Sequence, residues 1–202
     1  GNDVLTADYA TAAVTLDANS AQFVGIESFV GSNFSDTLKW NGIGTPTLDG
    51  GLGNDTLTFA AATAAVTVDL NSANITSIES FLGSSLADKF NWADGGSFTL
   101  NGGAGIDTLQ LNAASATTYV LANAHLSLID TIVGTAGYND TVAWAGADTF
   151  SFDLGNGAGD ALNISSSTAG RNINLAGSQF TNIEIVTGSN YADTLYGSSA
   201  AD

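Results

Sequence analysis

Two aspartate series fix the architecture of this chain before any local propensity is weighed. Asp3, Asp55, Asp107 and Asp160 lie 52, 52 and 53 residues apart, in the phrases GNDVLT, GNDTLT, GIDTLQ and GDALNI. Asp36, Asp88, Asp140 and Asp193 keep the same spacing inside GSNFSDTL, GSSLADKF, GTAGYNDTV and GSNYADTL. One unit of this length cannot bury its own apolar face, so stacked units must bury each other's. The chain is therefore expected to form one solenoid over residues 1–202, with units 1–52, 53–104, 105–158 and 159–202, the last one partial.

Within a unit the pattern is that of strands and turns. Val66, Val68 and Leu70 alternate with Thr67 and Asp69, the period of a strand with one buried face. Thr56–Phe59, Ile75–Leu82, Asp88–Ala93 and Ser97–Asn101 read as further strands, and Gly83-Ser84 and Gly102-Gly103 as turns between them. No window carries a useful 3.6-residue period, so helix should be scarce. The expected fold is all-β, a parallel β-roll or β-helix. Roughly five pieces per unit do not divide evenly into two-strand coils, so successive units should alternate sides or one piece should be a loop. Trp40, Trp92, Trp144 and Tyr196 end matching strands and predict ladders of like residues in or beside the core. A row stacking on polysaccharide is the other reading of that column. No T-x-T ladder recurs from unit to unit.

Charge limits the partners. Twenty acidic side chains face three Lys and Arg, a formal net charge of −17. Such a chain has no basic patch for phosphate, which excludes nucleic acid, and an anionic membrane would repel it. No run of about 18 apolar residues predicts membrane insertion. The chain has no cysteine, hence neither a disulfide framework nor a thiolate metal site. Closely stacked carboxylates repel unless neutralised, so the acidic balance points to solvation or to cations. With no Met and with repeat phrases at both ends, the sequence reads as an interior portion of a longer polypeptide, any targeting signal lying outside it.

The turns carry the chemistry. Gly50-Gly51-Leu52-Gly53-Asn54-Asp55-Thr56-Leu57-Thr58 and the nine residues Gly102 to Gln110 both match G-G-x-G-x-D-x-U-x, a calcium-binding β-helix repeat. Glycines let a tight turn aim its carbonyls at one point, and the aspartate adds a carboxylate. Calcium takes six to eight oxygens, and one turn supplies about half, so a second turn on the same edge must supply the rest. Asp36 to Asp55 and Asp88 to Asp107 are each 19 residues, and Asp140 to Asp160 is 20, about one coil of a two-strand roll. The expected metal ligands are Asp36, Asp55, Asp88, Asp107, Asp140 and Asp160, helped by the carbonyls of Gly50, Gly51, Gly53, Gly102, Gly103 and Gly105. A metal-free structural turn is the alternative at each place. Glu27, Glu79 and Glu184 share one repeat position, filled by Asp130 in the third unit; they read as caps on a bend or as extra cation ligands.

On these motifs the chain resembles the haemolysin-type, or RTX, calcium-binding repeat family. Resemblance implies a right-handed parallel β-roll, bound calcium and export from a bacterium unfolded, with folding outside the cell. In the first turn of the first two pairs Gly-Ser stands where the family has Gly-Gly, and Phe34 or Leu86 replaces the third glycine. Gly134–Asp140 carries one extra residue, so half of every site is weakened and the expected affinity for calcium is low. The function so implied is structural: an extracellular surface-layer, fibre or adhesin region, self-associating through strand edges. A carbohydrate-binding or spacer module of a secreted enzyme is the alternative. Catalysis is not expected, because a catalytic carboxylate pair is needed once and these carboxylates recur in every unit. His125 is the sole histidine and Arg171 the sole arginine.

Overall fold

The computed structural model describes residues 1–93, 96–122, 124–145, 150–177 and 179–197. Among these residues every regular element is a strand and every strand pairing is parallel. The strands form sheets of four, six, six, four and two strands, each overlapping the next along the solenoid.

Two kinds of coil alternate. Thr37–Lys39 pairs with Thr56–Thr58, 19 residues on, with the single strand Thr47–Asp49 between them on the opposite face. Thr56–Thr58 then pairs with Ser80–Leu82, 24 residues on, and two strands intervene, Thr67–Asp69 and Ile75–Thr76. The segment Ile75–Leu82, expected as one strand, is thus two strands on different faces. Ser77 breaks it with φ at 52°, and Gly25, Leu128 and Asn182 turn the same corner at 78°, 52° and 54°.

The second and third units each contribute a three-strand coil, a two-strand coil and one strand left over, while the first has five strands and lacks a counterpart of Ile75–Thr76. The strand left over sets the next unit on the other side of the solenoid. Val4–Thr6 lies in the first sheet, its equivalent Thr56–Thr58 in the second, Thr108–Leu111 in the third and Ala161–Asn163 in the fourth. The alternation of sides expected from the sequence is present. Direct ladders of equivalent residues are not, because residues one unit apart occupy different sheets.

Core columns are instead built from different repeat positions. Leu38, Leu57, Phe81 and Leu100 stack in register along the second sheet, and Phe90, Leu109, Ile132 and Phe152 along the third, all at most 3% exposed. Burial of each such side chain is worth roughly 1.5–3 kcal/mol. Trp92 and Trp144 are buried at 1% and 5%, whereas Tyr196 is 54% exposed. Trp92 packs edge-on against Phe98 and Tyr119, with ring centroids 5.2 and 5.1 Å away. On the outer face of the second sheet Thr15, Thr37, Thr56, Ser80 and Thr99 fall in register, a hydroxyl ladder that the 52-residue comparison conceals because its rungs are 19 to 24 residues apart.

Candidate functional site: the carboxylate turns

The residues that precede the strands of one sheet define an edge of the solenoid. On the second sheet they are Val14, Asp36, Asp55 and Glu79, before strands starting at Thr15, Thr37, Thr56 and Ser80. Hydrogen bonds link them rung to rung. The Val14 amide donates to Asp36 Oδ1 at 2.7 Å, the Asp36 amide to Asp55 Oδ1 at 2.7 Å, and the Asp55 amide to Glu79 Oε2 at 2.8 Å. The third sheet repeats this through Val66, Asp88, Asp107 and Asp130, at 2.9, 2.7 and 2.8 Å. The fourth runs through Thr117, Asp140, Asp160 and Glu184, at 3.3, 2.7 and 2.8 Å. Asp36 and Asp55, Asp88 and Asp107, and Asp140 and Asp160 are thus neighbours on adjacent rungs, as their spacing predicts. Glu79, Asp130 and Glu184 cap the amide of the rung before, the first of the two roles the sequence left open.

Asp36, Asp55, Asp88, Asp107, Asp140 and Asp160 are all buried, none more than 2% exposed. They differ in what meets the second carboxylate oxygen. In the turns of Asp36 and Asp88, Oδ2 accepts the amide of Ser32 or Ser84. The same serine hydroxyl donates to Oδ1, at 3.0 and 3.1 Å, and accepts the amide of Phe34 or Leu86 at 3.1 Å. Ser189 does likewise for Asp193. At Asp140 the Thr135 amide reaches Oδ2 at 2.8 Å, while its hydroxyl turns to the Leu111 carbonyl. These four carboxylates have donors at both oxygens.

The glycine turns have none to spare. Gly51 and Gly103 occupy the position of Ser32 and Ser84, with φ at 91° and 99°, and offer no hydroxyl. Their amides donate to the strand-end side chains Asp49 Oδ1 and Asn101 Oδ1, at 3.1 and 2.9 Å; Gly155 donates to Asp153 Oδ1 at 3.3 Å. Asp55 Oδ2, Asp107 Oδ2 and Asp160 Oδ2 are left buried without a hydrogen-bond partner. A buried charged oxygen in that state costs upwards of about 1–3 kcal/mol. Burial pushes these three carboxyls above their ordinary range against the pull of the Asp36, Asp88 and Asp140 amides and, at Asp160, of the nearby Gly157 amide as well; the neighbouring Asp36 and Glu79, Asp88 and Asp130, and Glu184 and Asp140 raise them further.

Glycine is sterically required around these oxygens. A side chain on Gly50 would start 2.0 Å from the Ser77 carbonyl and 2.7 Å from Asp55 Oδ2; on Gly102 it would start 2.1 Å from the Leu128 carbonyl and 2.6 Å from Asp107 Oδ2. Gly53 and Gly105, with φ at 131° and 126°, lie flat against the backbone of Phe34 and Leu86 in the preceding serine turn. In the third unit Leu154 replaces the first glycine, and Gly157 closes on the Tyr138 carbonyl and Asp160 Oδ2 instead. No three acidic or histidine side chains converge among the described residues, so any cation here would be held by single carboxylate oxygens and backbone carbonyls. Such an all-oxygen set suits a hard ion. Reading the sequence for carboxylates alone missed Ser32 and Ser84, whose Gly-Ser departure from Gly-Gly was the available signal. It also missed Asp49, Asn101 and Asp153, each of which directly precedes or nearly precedes the turn glycines.

Fold and site together define a parallel β-solenoid whose edges are stacked carboxylate turns. Into that class falls the RTX calcium-binding nonapeptide repeat, whose family model matches the chain in four copies, at residues 47–59, 92–114, 127–158 and 180–202. The chain carries RTX repeats, and repeats of this family bind calcium. No curated protein and no solved structure matches it.

Proposed function

We propose that this chain is a calcium-stabilised structural region of a secreted bacterial protein, a surface layer, fibre or adhesin. The observation that carries the reading is the set of buried, unpaired carboxylate oxygens on Asp55, Asp107 and Asp160, each inside a glycine turn at a junction between two units. Asp55 with the carbonyls of Gly50, Gly51 and Gly53, and Asp107 with those of Gly102, Gly103 and Gly105, would hold the ions. Bound calcium would supply the positive charge that burial denies these oxygens. Asp36, Asp88 and Asp140 contribute by fixing the neighbouring rung through their amides. RTX-repeat proteins are typically secreted by bacteria, which supports an extracellular place for this one.

The affinity expected is that of extracellular modules, Kd about 10⁻⁴–10⁻³ M, so the chain would stay loose inside the cell and order outside it. The carboxylates recur from unit to unit and His125 stands exposed on an outer sheet face, which supports a structural rather than a catalytic part. Far-ultraviolet circular dichroism with and without calcium tests the proposal: a strand spectrum gained with the ion and lost on chelation is expected, and a spectrum and melting temperature indifferent to calcium would refute it. Association of copies belongs to the same reading; only isolated particles in calcium by negative stain would remove that part.

A further inference from the structure

The two kinds of turn differ in what satisfies their aspartate. From that difference we propose that the solenoid takes three calcium ions, one at each junction between successive repeat units. The ions sit at the glycine turns of Asp55, Asp107 and Asp160; the serine and threonine turns of Asp36, Asp88, Asp140 and Asp193 are metal-free locks. This rests on the calcium reading above and goes beyond it by setting the stoichiometry and naming the residues that decide which turn takes an ion.

The deciding group is one backbone amide, that of the second residue in the turn. Where that residue is Ser32, Ser84, Thr135 or Ser189, the amide donates to the turn's own aspartate. In the first three of these turns the residue two places earlier is Val30, Leu82 or Val133, whose side chain cannot accept it. Where the second residue is Gly51, Gly103 or Gly155, it holds φ between 91° and 99°, and Asp49, Asn101 or Asp153 two places earlier takes the amide. Diversion of that amide is what leaves Asp55 Oδ2, Asp107 Oδ2 and Asp160 Oδ2 unpaired. Serine then closes its own turn completely, since its hydroxyl donates to the carboxylate and accepts the amide two residues on. An ion at Oδ2 of Asp36 or Asp88 would have to displace the serine amide held there; an ion at Oδ2 of Asp55 or Asp107 displaces no donor. Asp49, Asn101 and Asp153 are therefore positioning residues that keep the ligand oxygen free.

Calcium titration of the whole chain by calorimetry, with the melting temperature of the calcium-free protein followed alongside, tests the partition. Three ions are expected for the unmodified chain. Asp107→Asn should reduce the count to two. Ser84→Ala, which removes only the hydroxyl, should leave it at three while lowering the calcium-free melting temperature. The pair Leu82→Asn and Ser84→Gly, which copies the Asn101 and Gly103 arrangement, should raise it to four. A count of six, loss of an ion in Ser84→Ala, or a count unchanged at three in the double variant each overturns the partition while the calcium reading stands. No binding at all by the unmodified chain overturns the calcium reading itself.

Discussion

The amide of Asp36 donates to Oδ1 of Asp55 at 2.7 Å although 19 residues separate the two, and this bond ties one coil of the solenoid to the next. The same aspartate that could serve a cation through one oxygen thus serves the backbone through the other. Because Asp55 passes its own amide to Glu79, three carboxylates line up on consecutive rungs of one edge. Rungs of a sheet lie about 4.8 Å apart, so like charges are held closer than solvent alone would allow.

Glu79 serves there as the acceptor of the Asp55 amide. Glu79→Gln keeps a carbonyl oxygen for the Asp55 amide and removes one of the charges that raise the Asp55 carboxyl. Calcium-free protein carrying it should melt at or above the parent temperature. Glu79→Ala leaves the amide without its partner and should cost about 1–2 kcal/mol by urea denaturation.

Acid should stabilise the calcium-free protein. The folded-state carboxyls of Asp55, Asp107 and Asp160 sit above 3.8, chiefly through burial, so from 3.8 up to their raised values the folded chain binds more protons than the unfolded one. Stability contributed by these groups is lost as pH rises through that window. Asp193 has the opposite sign: the Arg171 and Ser189 amides hold its carboxyl below 3.8, and its contribution is lost as pH falls below that value. Melting temperatures from about pH 3 to 7 should therefore fall on the alkaline side without calcium and flatten with saturating calcium. A rise toward neutral pH without calcium would contradict the burial of these oxygens.

Turn glycines differ in what they tolerate. A side chain on Gly83 would begin 1.9 Å from the Gly102 carbonyl, so Gly83→Ala must push two rungs apart and should cost more than about 3 kcal/mol. Gly44 has nothing within 4 Å, and Gly44→Ala should cost only the strain of its φ of 80°, about 1–2 kcal/mol. Chemical denaturation of the two variants side by side measures the difference.

The third unit depends on a buried hydroxyl. Tyr119 Oη accepts the Ala113 amide at 2.9 Å, and both residues are buried. Tyr119→Phe keeps the ring against Trp92 but orphans that amide, and should lower stability by about 1–3 kcal/mol, read from the denaturation midpoint at unchanged slope.

Much of this was legible in residues taken singly or in pairs. The 19-residue interval between Asp36 and Asp55 placed them on one edge, because a two-strand coil has nearly that length. The corner at Ser77 was hidden, since serine carries no mark of a left-handed backbone; only Gly25 and Asn182, at the same repeat position, hinted at it. The fate of the turn amides was hidden too. Whether Gly103 donates to Asn101 or to Asp107 depends on the direction of one N–H vector, which composition does not reveal.

By itself the sequence determined that the chain stacks parallel strands in a 52-residue period with acidic glycine turns on its edges, because repeated apolar patterning admits no other way to bury each unit's face. The tertiary structure decided which turns are complete and which lack a donor. It also decided which residues stack, since a strand left over in every unit shifts equivalent positions onto different sheets. Both follow from register between coils, a property of neighbours in space that no single unit contains.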